Sequence, residues 1–575
     1  MAGFNQGGAP QSLADVLDRR AAERPGKAAF VFIPERGDVP LQITFAELWR
    51  RARSVAARLA ARFARGERAV LLFPPGLDFI VAFFGCAAAG VIAVPLMVPR
   101  RTAARDSSAA IIADCSPAVA MTSGELLESR PDVAERFAGA RFGWMTVDAM
   151  DDTGAEAGAP MSSAPDDIAF LQYTSGSTST PKGVVVMHRN LLANLEMIRR
   201  AMGHTEHSTT VGWVPLYHDM GLMMQVMQPL YVGASSVLMA PAAFMQRPLN
   251  WLHTIHRYGA EFSTAPNFAF ELCVSRFRAD QMQGVDLSGW KMAVSGAEPV
   301  LADTMARFAE TFAPYGFDAR SIYPAYGLAE ATLLASGGVR GRGVHARRVS
   351  RAALQRDQVR EPLDAGDAQP VVSCGRSLAG EEVAIADPRS CAGLPAYRVG
   401  EIWVSGPNVA AGYWRNPAAS VETFEACLDD DPGRRWLRTG DLGFLDEQGE
   451  LFITGRMKDL IIIRGMNHYP QDIERTVQAC HPALRLDCGA AFAVSGAADS
   501  ERLVIVQEVE RTQRRSLDLD EVRRRIVEAV TRQHEIAIET IVLIPPATLP
   551  KTTSGKIQRG LARKLWLEGA LPPLG

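Results

Sequence analysis

The 575-residue sequence lacks several features that would assign it to a functional class at once. Its eight cysteines include no Cys-x-x-Cys pair and no Cys/His spacing typical of a metal site. Neither sign of charge is in excess, since 61 Lys and Arg face 64 Asp and Glu. A surface that binds nucleic acid needs an excess of basic residues, so this balance argues against that function. Scattered cysteines are typical of reduced thiols, and we therefore expect a cytoplasmic location.

We predict neither a secretory signal nor a membrane span. Residues 1–10 are glycine-rich and do not contain a basic segment followed by an apolar one. One uncharged stretch, residues 79–98, is long enough to cross a bilayer. Gly85, Gly90 and Pro95 interrupt it, and residues 91–94 resemble a buried strand. We therefore predict a core helix followed by a core strand.

What the chain does contain is an alternation of helical and strand-like segments. Residues 12–23 and 45–63 have the apolar spacing of helices, whereas residues 69–73 form a short apolar run. Residues 237–239 predict another strand, and residues 299–312 predict a helix with one apolar face. Such alternation predicts an α/β fold with parallel-rich sheets layered with helices. The length is too great for one hydrophobic core, so we expect at least two domains.

Two segments depart from this alternation, and the end of the chain has its own. Residues 151–167 read as a linker, and residues 339–370 show no sustained period and predict an irregular surface insertion. From about Asp459 onward, strand-like and helical segments predict a small α+β domain. Residues 460–463 and 503–507 are the predicted strands. The predicted helix covers residues 520–533, with an apolar face of Val522, Ile526, Val527 and Val530.

The most informative segment is 173–183, Tyr-Thr-Ser-Gly-Ser-Thr-Ser-Thr-Pro-Lys-Gly. Its hydroxyl side chains, its glycines and Lys182 can surround the oxygens of a triphosphate or pyrophosphate. It is not a Walker A loop, because Pro181 precedes the lysine and a strand-like Val-Val-Val run follows. The alternative is an ordinary Ser/Thr-rich surface turn.

Six motifs together resemble the adenylate-forming superfamily of acyl-CoA ligases, luciferases and peptide-synthetase adenylation domains. They occur in the order of that family and extend from near Ile168 to Arg559. Besides the phosphate loop, they are Ser295-Gly296-Ala297-Glu298, Tyr326-Gly327-Leu328-Ala329-Glu330, Thr439-Gly440-Asp441, Gly455-Arg456-Met457-Lys458-Asp459 and Pro550-Lys551-Thr552-Thr553-Ser554-Gly555-Lys556.

Within that superfamily the chain is most similar to the fatty acyl-AMP ligases. Four stretches carry this narrower resemblance, and the 339–370 segment lies where that family has an insertion associated with loss of CoA-thioester formation. The stretches are residues 212–221 (Gly-Trp-Val-Pro-Leu-Tyr-His-Asp-Met-Gly), 246–249 (Gln-Arg-Pro-Leu), 265–270 (Ala-Pro-Asn-Phe-Ala-Phe) and 467–474 (Asn-His-Tyr-Pro-Gln-Asp-Ile-Glu).

This resemblance implies an enzyme that converts a fatty acid and ATP, with Mg²⁺, into fatty acyl-AMP and pyrophosphate. The acyl group would then pass to the phosphopantetheine thiol of an acyl carrier protein or of a carrier domain in a polyketide or peptide synthase. A fatty acyl-CoA ligase is the alternative within the enzyme class. An inactive homologue that acts as a binding or scaffold protein is the alternative outside it.

The resemblance also implies a role for each matching residue. Lys556 would be the main catalytic residue, Glu330 the Mg²⁺ ligand, His218 a gate beside the substrate carboxylate and Lys458 the hinge between domains 1–457 and 458–575. Thr174, Ser175, Gly176, Ser177, Thr178 and Lys182 would hold phosphates. Ser295, Gly296, Ala297, Glu298, Tyr326 and Gly327 would line the adenine site, with Asp441 and Arg456 near the ribose. Trp213, Met223, Met227 and Phe268 are candidates for an acyl tunnel.

Overall fold

The computed structural model describes residues 9–35, 39–99, 108–148, 163–174, 181–495, 501–514, 517–552 and 555–574. Within these residues the predicted α/β class is confirmed, with two large parallel-rich sheets covered by helices, followed by a smaller C-terminal α+β unit. Residues 151–162, which are most of the predicted linker, lie outside the described residues.

The larger sheet has nine strands among the described residues, and its central strands are parallel. Both of its faces are buried under helices, and the helices Phe45–Ala60, Leu77–Ala89 and His188–Met202 lie between this sheet and the second one. In spatial order the strands are Arg376–Ser377, Leu334–Gly337, Ile322–Gly327, Met292–Ser295, Phe262–Ala265, Thr209–Gly212, Ser235–Met239, Ala28–Ile33 and Leu41–Thr44.

The second sheet has six described strands and ends in an antiparallel hairpin. The hairpin strands are Ile168–Thr174 and Lys182–Met187, and residues 175–180 between them lie outside the described residues. The spatial order is Gly143–Thr146, Val119–Thr122, Arg68–Leu72, Ile92–Leu96, Ile168–Thr174 and Lys182–Met187. The two strands of this hairpin therefore flank the segment predicted to bind phosphates.

Smaller antiparallel sheets follow in the second half of the chain. One combines Glu382–Ala386, Gly400–Ser405, Ala426–Leu428, Asp431–Leu445 and Leu451–Arg456; a pair combines Ala346–Ser350 and Ala368–Val372. The C-terminal unit contains the pair Ile461–Ile463 and Met466–His468, and the mixed sheet Leu484–Ser495, Glu501–Val509 and Ile538–Ile544.

The helices begin and end where local chemistry favours it. Ser12 and Asp15 form a capping box at the first helix, and Gly90 ends the buried helix of the uncharged stretch with a positive φ of 66°. The longer helices are Leu13–Glu23, Phe45–Ala60, Leu77–Ala89, Ser108–Cys115, His188–Met202, Leu249–Tyr258, Asn267–Ser275, Ala302–Phe312, Pro417–Phe424, Pro470–Ala479, Leu519–His534 and Arg559–Leu567. The shorter ones are Gly124–Ser129, Pro131–Arg136, Asp219–Leu222, the π-helical turn Met223–Met227, Gln228–Val232, Pro241–Gln246 and Arg351–Leu354.

The uncharged stretch folds as predicted, into the core helix Leu77–Ala89 and the core strand Ile92–Leu96. No helix in the described ranges combines the length and apolarity that a membrane crossing requires. The predicted helix 299–312 begins only at Ala302, because Leu301 remains extended and donates its N–H to Asn267.

Two predictions about the second half of the chain need correction. Residues 339–370 are irregular only in part, since they contain the strand Ala346–Ser350, the short helix Arg351–Leu354 and the start of the strand Ala368–Val372. The strand Ala346–Ser350 is exposed over its charged first part, so that only Val349 and Ser350 are buried and the apolar alternation is too short to recognise. Val527 does not belong to the buried helix face, because it follows Ile526 and turns away, leaving 43% of the residue exposed.

Residues 346–372 contact the C-terminal unit directly. Asn467 Nδ2 donates to Asp357 Oδ1 at 2.9 Å, and Gln369 Nε2 donates to Asp472 Oδ2 at 2.6 Å. Tyr469 is buried in the same apolar cluster as Val349 and Leu354. These contacts link the segment before the hinge candidate to the segment after it.

Candidate active site

The parallel strands bring most of the predicted residues to one edge of the larger sheet. Ser295 lies opposite Ala265 and Pro324 on neighbouring parallel strands, so the segments that follow these strands leave the sheet side by side. In open α/β sheets, ligands bind at the carboxyl ends of the strands. Phe268, Glu298, Glu330 and His218 all follow such strand ends.

The backbone at this edge is tightly constrained. Ala297 has a φ of 67°, in a region that side chains rarely adopt and that is enriched at functional sites. A Cβ at Gly327 would lie 1.8 Å from the carbonyl oxygen of Leu333, so only glycine fits there. The short 3₁₀ turn Ala329–Ala331, which carries Glu330, starts immediately after this close approach.

Asp441 is held between a phenol and a guanidinium. Tyr326 donates its hydroxyl to Asp441 Oδ2 at 2.9 Å, and Arg456 Nε lies 2.9 Å from Asp441 Oδ1. Burial and the adjacent Asp441 carboxylate raise the pKa of Tyr326 well above its ordinary value. The Asp441 charge also raises the pKa of Arg456. This arrangement fixes the orientation of the carboxylate beside the Tyr326 ring.

Glu330 is a partly buried carboxylate. Burial raises its pKa, while the Tyr413 hydroxyl, which donates to Glu330 Oε1 at 2.9 Å, and the charge of Arg456 act in the opposite direction. A hydrogen bond from its own backbone N–H also lowers the pKa, and among the described residues Tyr413 is the side chain that donates to this carboxylate. A carboxylate with so few donors has the chemistry of a hard-cation ligand.

The phosphate-loop hairpin approaches Glu330 through Tyr413. Thr174 and Lys182 lie opposite each other in the hairpin register, at the two ends of the loop. Lys182 Nζ is 4.7 Å from the centre of the Tyr413 ring. Ser175, Gly176, Ser177 and Thr178, which the sequence assigns to phosphate binding, lie outside the described residues.

Lys556 reaches the same site from the far end of the chain. Burial and the nearby Arg456 lower its pKa, whereas Asp219, Glu298 and Asp441 raise it. A Cβ at the neighbouring Gly555 would lie 3.0 Å from Phe268 Cε1, which shows how closely the Lys556 loop approaches the large sheet. The lysine therefore lies among the acidic and basic groups of the large domain.

Glu298 and Asp219 have opposite pKa shifts although both lie near Lys556. Burial raises the pKa of Glu298 to about 7, although Oε1 accepts a 2.6 Å hydrogen bond from the Phe268 N–H. Burial acts in the same direction on Asp219, but the hydrogen bond and charge of His218 and the charge of Lys556 lower its pKa to about 2. The two carboxyls thus differ in charge near neutral pH.

The four tunnel candidates do not form one cluster. Trp213 stacks on Phe244 at 3.8 Å and contacts Phe268 edge-on at 6.0 Å, on the helix-covered face of the nine-stranded sheet. Met223 and Met227 are fully buried in the core between the two large sheets, on the π-helical turn. Lys458, the hinge candidate, lies in the 3₁₀ turn Met457–Asp459, and burial and the charge of Arg456 lower its pKa.

Two residues of the site were not assigned by the sequence analysis. Asp219 directly follows His218 in the motif at residues 212–221. A carboxylate next to a histidine could have indicated that the two side chains interact, as they do in the structure. Tyr413 had no comparable signal, because Gly-Tyr-Trp after a short apolar run is typical of an ordinary strand.

Comparisons with known proteins agree with this geometry. A family model described as "AMP-binding enzyme" matches residues 17–414, and one described as "Disco-interacting protein 2-like, AMP domain" matches residues 458–574. The medium-chain-fatty-acid (acyl-carrier-protein) ligase JamA of Moorena producens is 43% identical, over 97% of this chain and 96% of its own. The 4-hydroxyphenylalkanoate adenylyltransferase of Mycobacterium tuberculosis is 38% identical, over 97% of this chain and 92% of its own.

Solved structures show the same relationship. A fatty acyl-adenylate ligase of Legionella pneumophila, in complex with acyl adenylate and pyrophosphate, is 38% identical with a TM-score of 0.76, covering 98% of this chain and 97% of its own. A structure from a study of fatty acyl-adenylate ligases of E. coli and L. pneumophila is 31% identical with a TM-score of 0.86, covering 97% and 98%.

Proposed function

Because the chain belongs to the family of AMP-binding enzymes, we propose that it activates a fatty acid as acyl-AMP and transfers the acyl group to a carrier protein. The observation that carries this proposal is the close approach of the Lys556 loop to Phe268 on the large domain, which brings Lys556 within electrostatic range of Asp219, Glu298, Asp441 and Arg456. A lysine brought from the C-terminal unit into a site that also contains the Asp441–Arg456 pair suits adenylation. The names of the relatives, which include an acyl-carrier-protein ligase, support the same reaction.

The first step joins two anions, and this determines what the site must do. A carboxylate oxygen of the acid attacks the α-phosphorus of ATP, the bond to the β-phosphate breaks, and pyrophosphate leaves. Positive charge has to offset the charge that develops on the α-phosphate, and the reactants have to be aligned. Lys556 would be the catalytic residue that contacts both the carboxylate and the α-phosphate.

The remaining charged groups would bind the nucleotide. Asp441 would accept hydrogen bonds from the ribose hydroxyls, Arg456 would contact ribose or phosphate, and the flat face of Tyr326 would stack on adenine, beside the turn 295–298. Lys182 and Thr174 would hold the β- and γ-phosphates together with residues 175–178. The hydrogen bond between Tyr326 and Asp441 supports this assignment, because it fixes the carboxylate beside the aromatic ring.

Mg²⁺ fits the carboxylate of Glu330. This carboxylate is partly buried, and burial raises its pKa. Tyr413 donates a hydrogen bond to Oε1, but no ion pair of Glu330 is found among the described residues, so its oxygens are suited to a hard cation. Bound there with the phosphates, the cation would neutralise phosphate charge.

The acid would enter beside His218 and Asp219. His218 would gate the site next to the carboxylate, with Asp219 holding its Nδ1 at 3.0 Å. Phe268 and Trp213 would contact the acyl chain near the site, and Met223 and Met227 would contact it deeper in the core. The unbranched methionine side chains adapt to an alkyl chain.

The second step requires a thiol in place of Lys556. The sulfur attacks the carbonyl carbon of acyl-AMP, the C–S bond forms, the bond to AMP breaks, and the thiol proton passes to solvent. We propose that domains 1–457 and 458–575 rotate about Lys458 to make room, and that residues 339–370 restrict the use of free CoA. The eight unpaired thiols favour a cytoplasmic location for this chemistry.

The test is a product analysis by mass spectrometry. The purified full chain is incubated with ATP, Mg²⁺ and fatty acids of graded length, then with either CoA or a phosphopantetheinylated carrier protein. We expect acyl-AMP to accumulate, to be consumed by the carrier protein and to yield little acyl-CoA. The Lys556→Ala variant, which should form almost no acyl-AMP, is the negative control.

The other outcomes identify the alternatives. Acyl-CoA formation at the rate of adenylation would make the protein a fatty acyl-CoA ligase. Absence of adenylate with every acid, despite ATP binding, would favour the inactive homologue. The acid that reacts fastest reports the length of the tunnel.

A further inference from the structure

The segment 409–414 is fastened to two parts of the site at once. Its main chain pairs with the strand Lys182–Met187, where Val185 N–H donates to Gly412 and Trp414 N–H donates to Gly183 at 2.7 Å. Ala410 N–H donates to the carbonyl oxygen of Glu330 at 2.9 Å. The phosphate hairpin and the Glu330 turn are therefore held by the same few residues.

Tyr413 repeats this connection with its side chain. The hydroxyl donates to Glu330 Oε1 at 2.9 Å, and the ring lies beneath Lys182 Nζ at 4.7 Å. Ser420 Oγ accepts the Tyr413 N–H at 2.8 Å, and Phe424 packs edge-on against the ring at 5.1 Å. One rigid aromatic side chain thus contacts an anion at its tip and a cation on its face.

The same chemistry occurs elsewhere in the chain without a functional context. Tyr397 accepts a hydrogen bond from Arg347 Nη2 at 3.1 Å on its hydroxyl, while the Arg347 guanidinium lies 4.9 Å from its ring centre. A tyrosine that contacts charge is therefore not in itself a sign of function. Tyr413 differs because its two partners, Glu330 and Lys182, are separate charges on separate elements of the site.

We propose that Tyr413 is a positioning residue that holds Glu330 and Lys182 in one arrangement, so that divalent-cation binding and ATP-phosphate binding depend on each other. This inference rests on the proposed function, because it assumes that Glu330 and Lys182 bind Mg²⁺ and phosphate. The hydroxyl acts on Glu330 and the ring acts on Lys182. The two effects can be separated by substitution.

The experiment measures ATP binding by calorimetry, without fatty acid, at increasing Mg²⁺ concentrations. Tyr413→Phe keeps the ring and removes the hydroxyl. Mg²⁺ should increase the affinity for ATP, and we compare the Mg²⁺ concentration at which half of this increase is reached. In Tyr413→Phe we expect this concentration to rise about tenfold, which is equivalent to about 1.4 kcal/mol. ATP affinity without Mg²⁺ should change less than about twofold, because the Lys182 contact remains. Tyr413→Leu, which removes both contacts, should weaken ATP binding under both conditions.

Two controls separate positioning from general stability. Tyr397→Phe removes a similar hydroxyl, whose partner is Arg347 and not Glu330 or Lys182, and should leave both affinities unchanged. In a Glu330→Gln background, Tyr413→Phe should add little further effect on the Mg²⁺ response, since the hydroxyl acts through Glu330. Thermal unfolding of each variant shows whether it folds. If Tyr413→Leu does not fold, the result for Tyr413→Phe alone tests the proposal.

Each outcome supports or overturns the inference. An unchanged Mg²⁺ response in Tyr413→Phe, or an equal loss of ATP affinity with and without Mg²⁺, would overturn it while the proposed function stands. An undiminished effect in the Glu330→Gln background would also overturn it. Absence of ATP binding by the unsubstituted protein would overturn both the inference and the proposed function.

Discussion

The hydroxyl of Tyr326 donates a 2.9 Å hydrogen bond to Oδ2 of Asp441, although 115 positions separate the two residues in the chain. Tyr326 is the last but one residue of the strand Ile322–Gly327 in the nine-stranded sheet, whereas Asp441 belongs to an antiparallel sheet formed later in the chain. The bond joins these two sheets at the site, and Arg456 holds the other oxygen of the same carboxylate.

Removing this hydroxyl should weaken nucleotide binding more than chemistry. In Tyr326→Phe the ring remains, but Asp441 loses a donor that orients it. We expect the KM for ATP to rise about tenfold with kcat changed less than about threefold, as for loss of a hydrogen bond to a charged group. Steady-state kinetics of acyl-AMP formation measures both. Tyr323→Phe, on the same buried strand, is the matched control; an equal effect there would assign the loss to packing.

Lys556→Ala should abolish most turnover and spare ATP binding. Loss of a single charge that stabilises the transition state costs about 10²–10³-fold in kcat. We therefore expect a decrease of at least that size in acyl-AMP formation, with an ATP dissociation constant within about threefold of the original. Lys564→Ala changes an exposed lysine on the following helix and should have no effect. Turnover that survives Lys556→Ala would remove this residue from the chemistry.

Glu298→Gln should alter how stability depends on pH. The pKa of Glu298 is raised to about 7 from an ordinary value of 4.5, so the folded protein binds more protons than the unfolded chain between these values. The stability that this group contributes is therefore full below pH 4.5 and is lost as the pH rises through 7.

Because glutamine stays neutral, Glu298→Gln should gain stability relative to the original protein as the pH rises from 5 to 8, by at most about 3 kcal/mol. Thermal unfolding at a series of pH values follows the difference. The exposed Glu528→Gln should show no such trend, and a flat difference curve for Glu298→Gln would contradict a raised pKa.

Gly327→Ala should damage the site through the backbone. The added Cβ would lie 1.8 Å from the Leu333 carbonyl oxygen, so the turn that carries Glu330 has to shift. We expect a loss of about 1–3 kcal/mol in stability, as for other overpacked sites, and a weaker response of ATP binding to Mg²⁺. Gly289→Ala, where a Cβ meets no atom within 4 Å, is the control. Equal melting temperatures for Gly327→Ala and the original protein would show that the turn adapts without cost.

Much of the fold could be predicted because local patterns are strong where elements are regular. Helix Leu13–Glu23 and strand Ser235–Met239 follow from periodicity and capping. Strand Ala346–Ser350 could not be recognised, because only its last two residues are buried and tertiary contacts, not alternation, hold it.

Of the candidate site, the sequence could predict the residues that belong to short motifs but not the contacts between them. Lys182, Glu330 and Lys556 could be named from short sequences, but their neighbours depend on how distant strands meet. Tyr413 illustrates the limit, since its partners Glu330 and Lys182 lie on other elements and no spacing in the sequence links the three. The raised pKa of Glu298 and the lowered pKa of Asp219 likewise depend on burial and on Lys556, which only the folded chain brings together.

The contacts of Asn467 with Asp357 and of Gln369 with Asp472 have a consequence for engineering this protein. A chimaera that takes its C-terminal unit from a relative, with the exchange made at Lys458, would separate residues that recognise each other across the junction. Exchanging residues 346–372 together with everything after Lys458 would preserve both hydrogen bonds and would keep Tyr469 with Val349 and Leu354. The natural unit of recombination in this protein is therefore discontinuous in sequence.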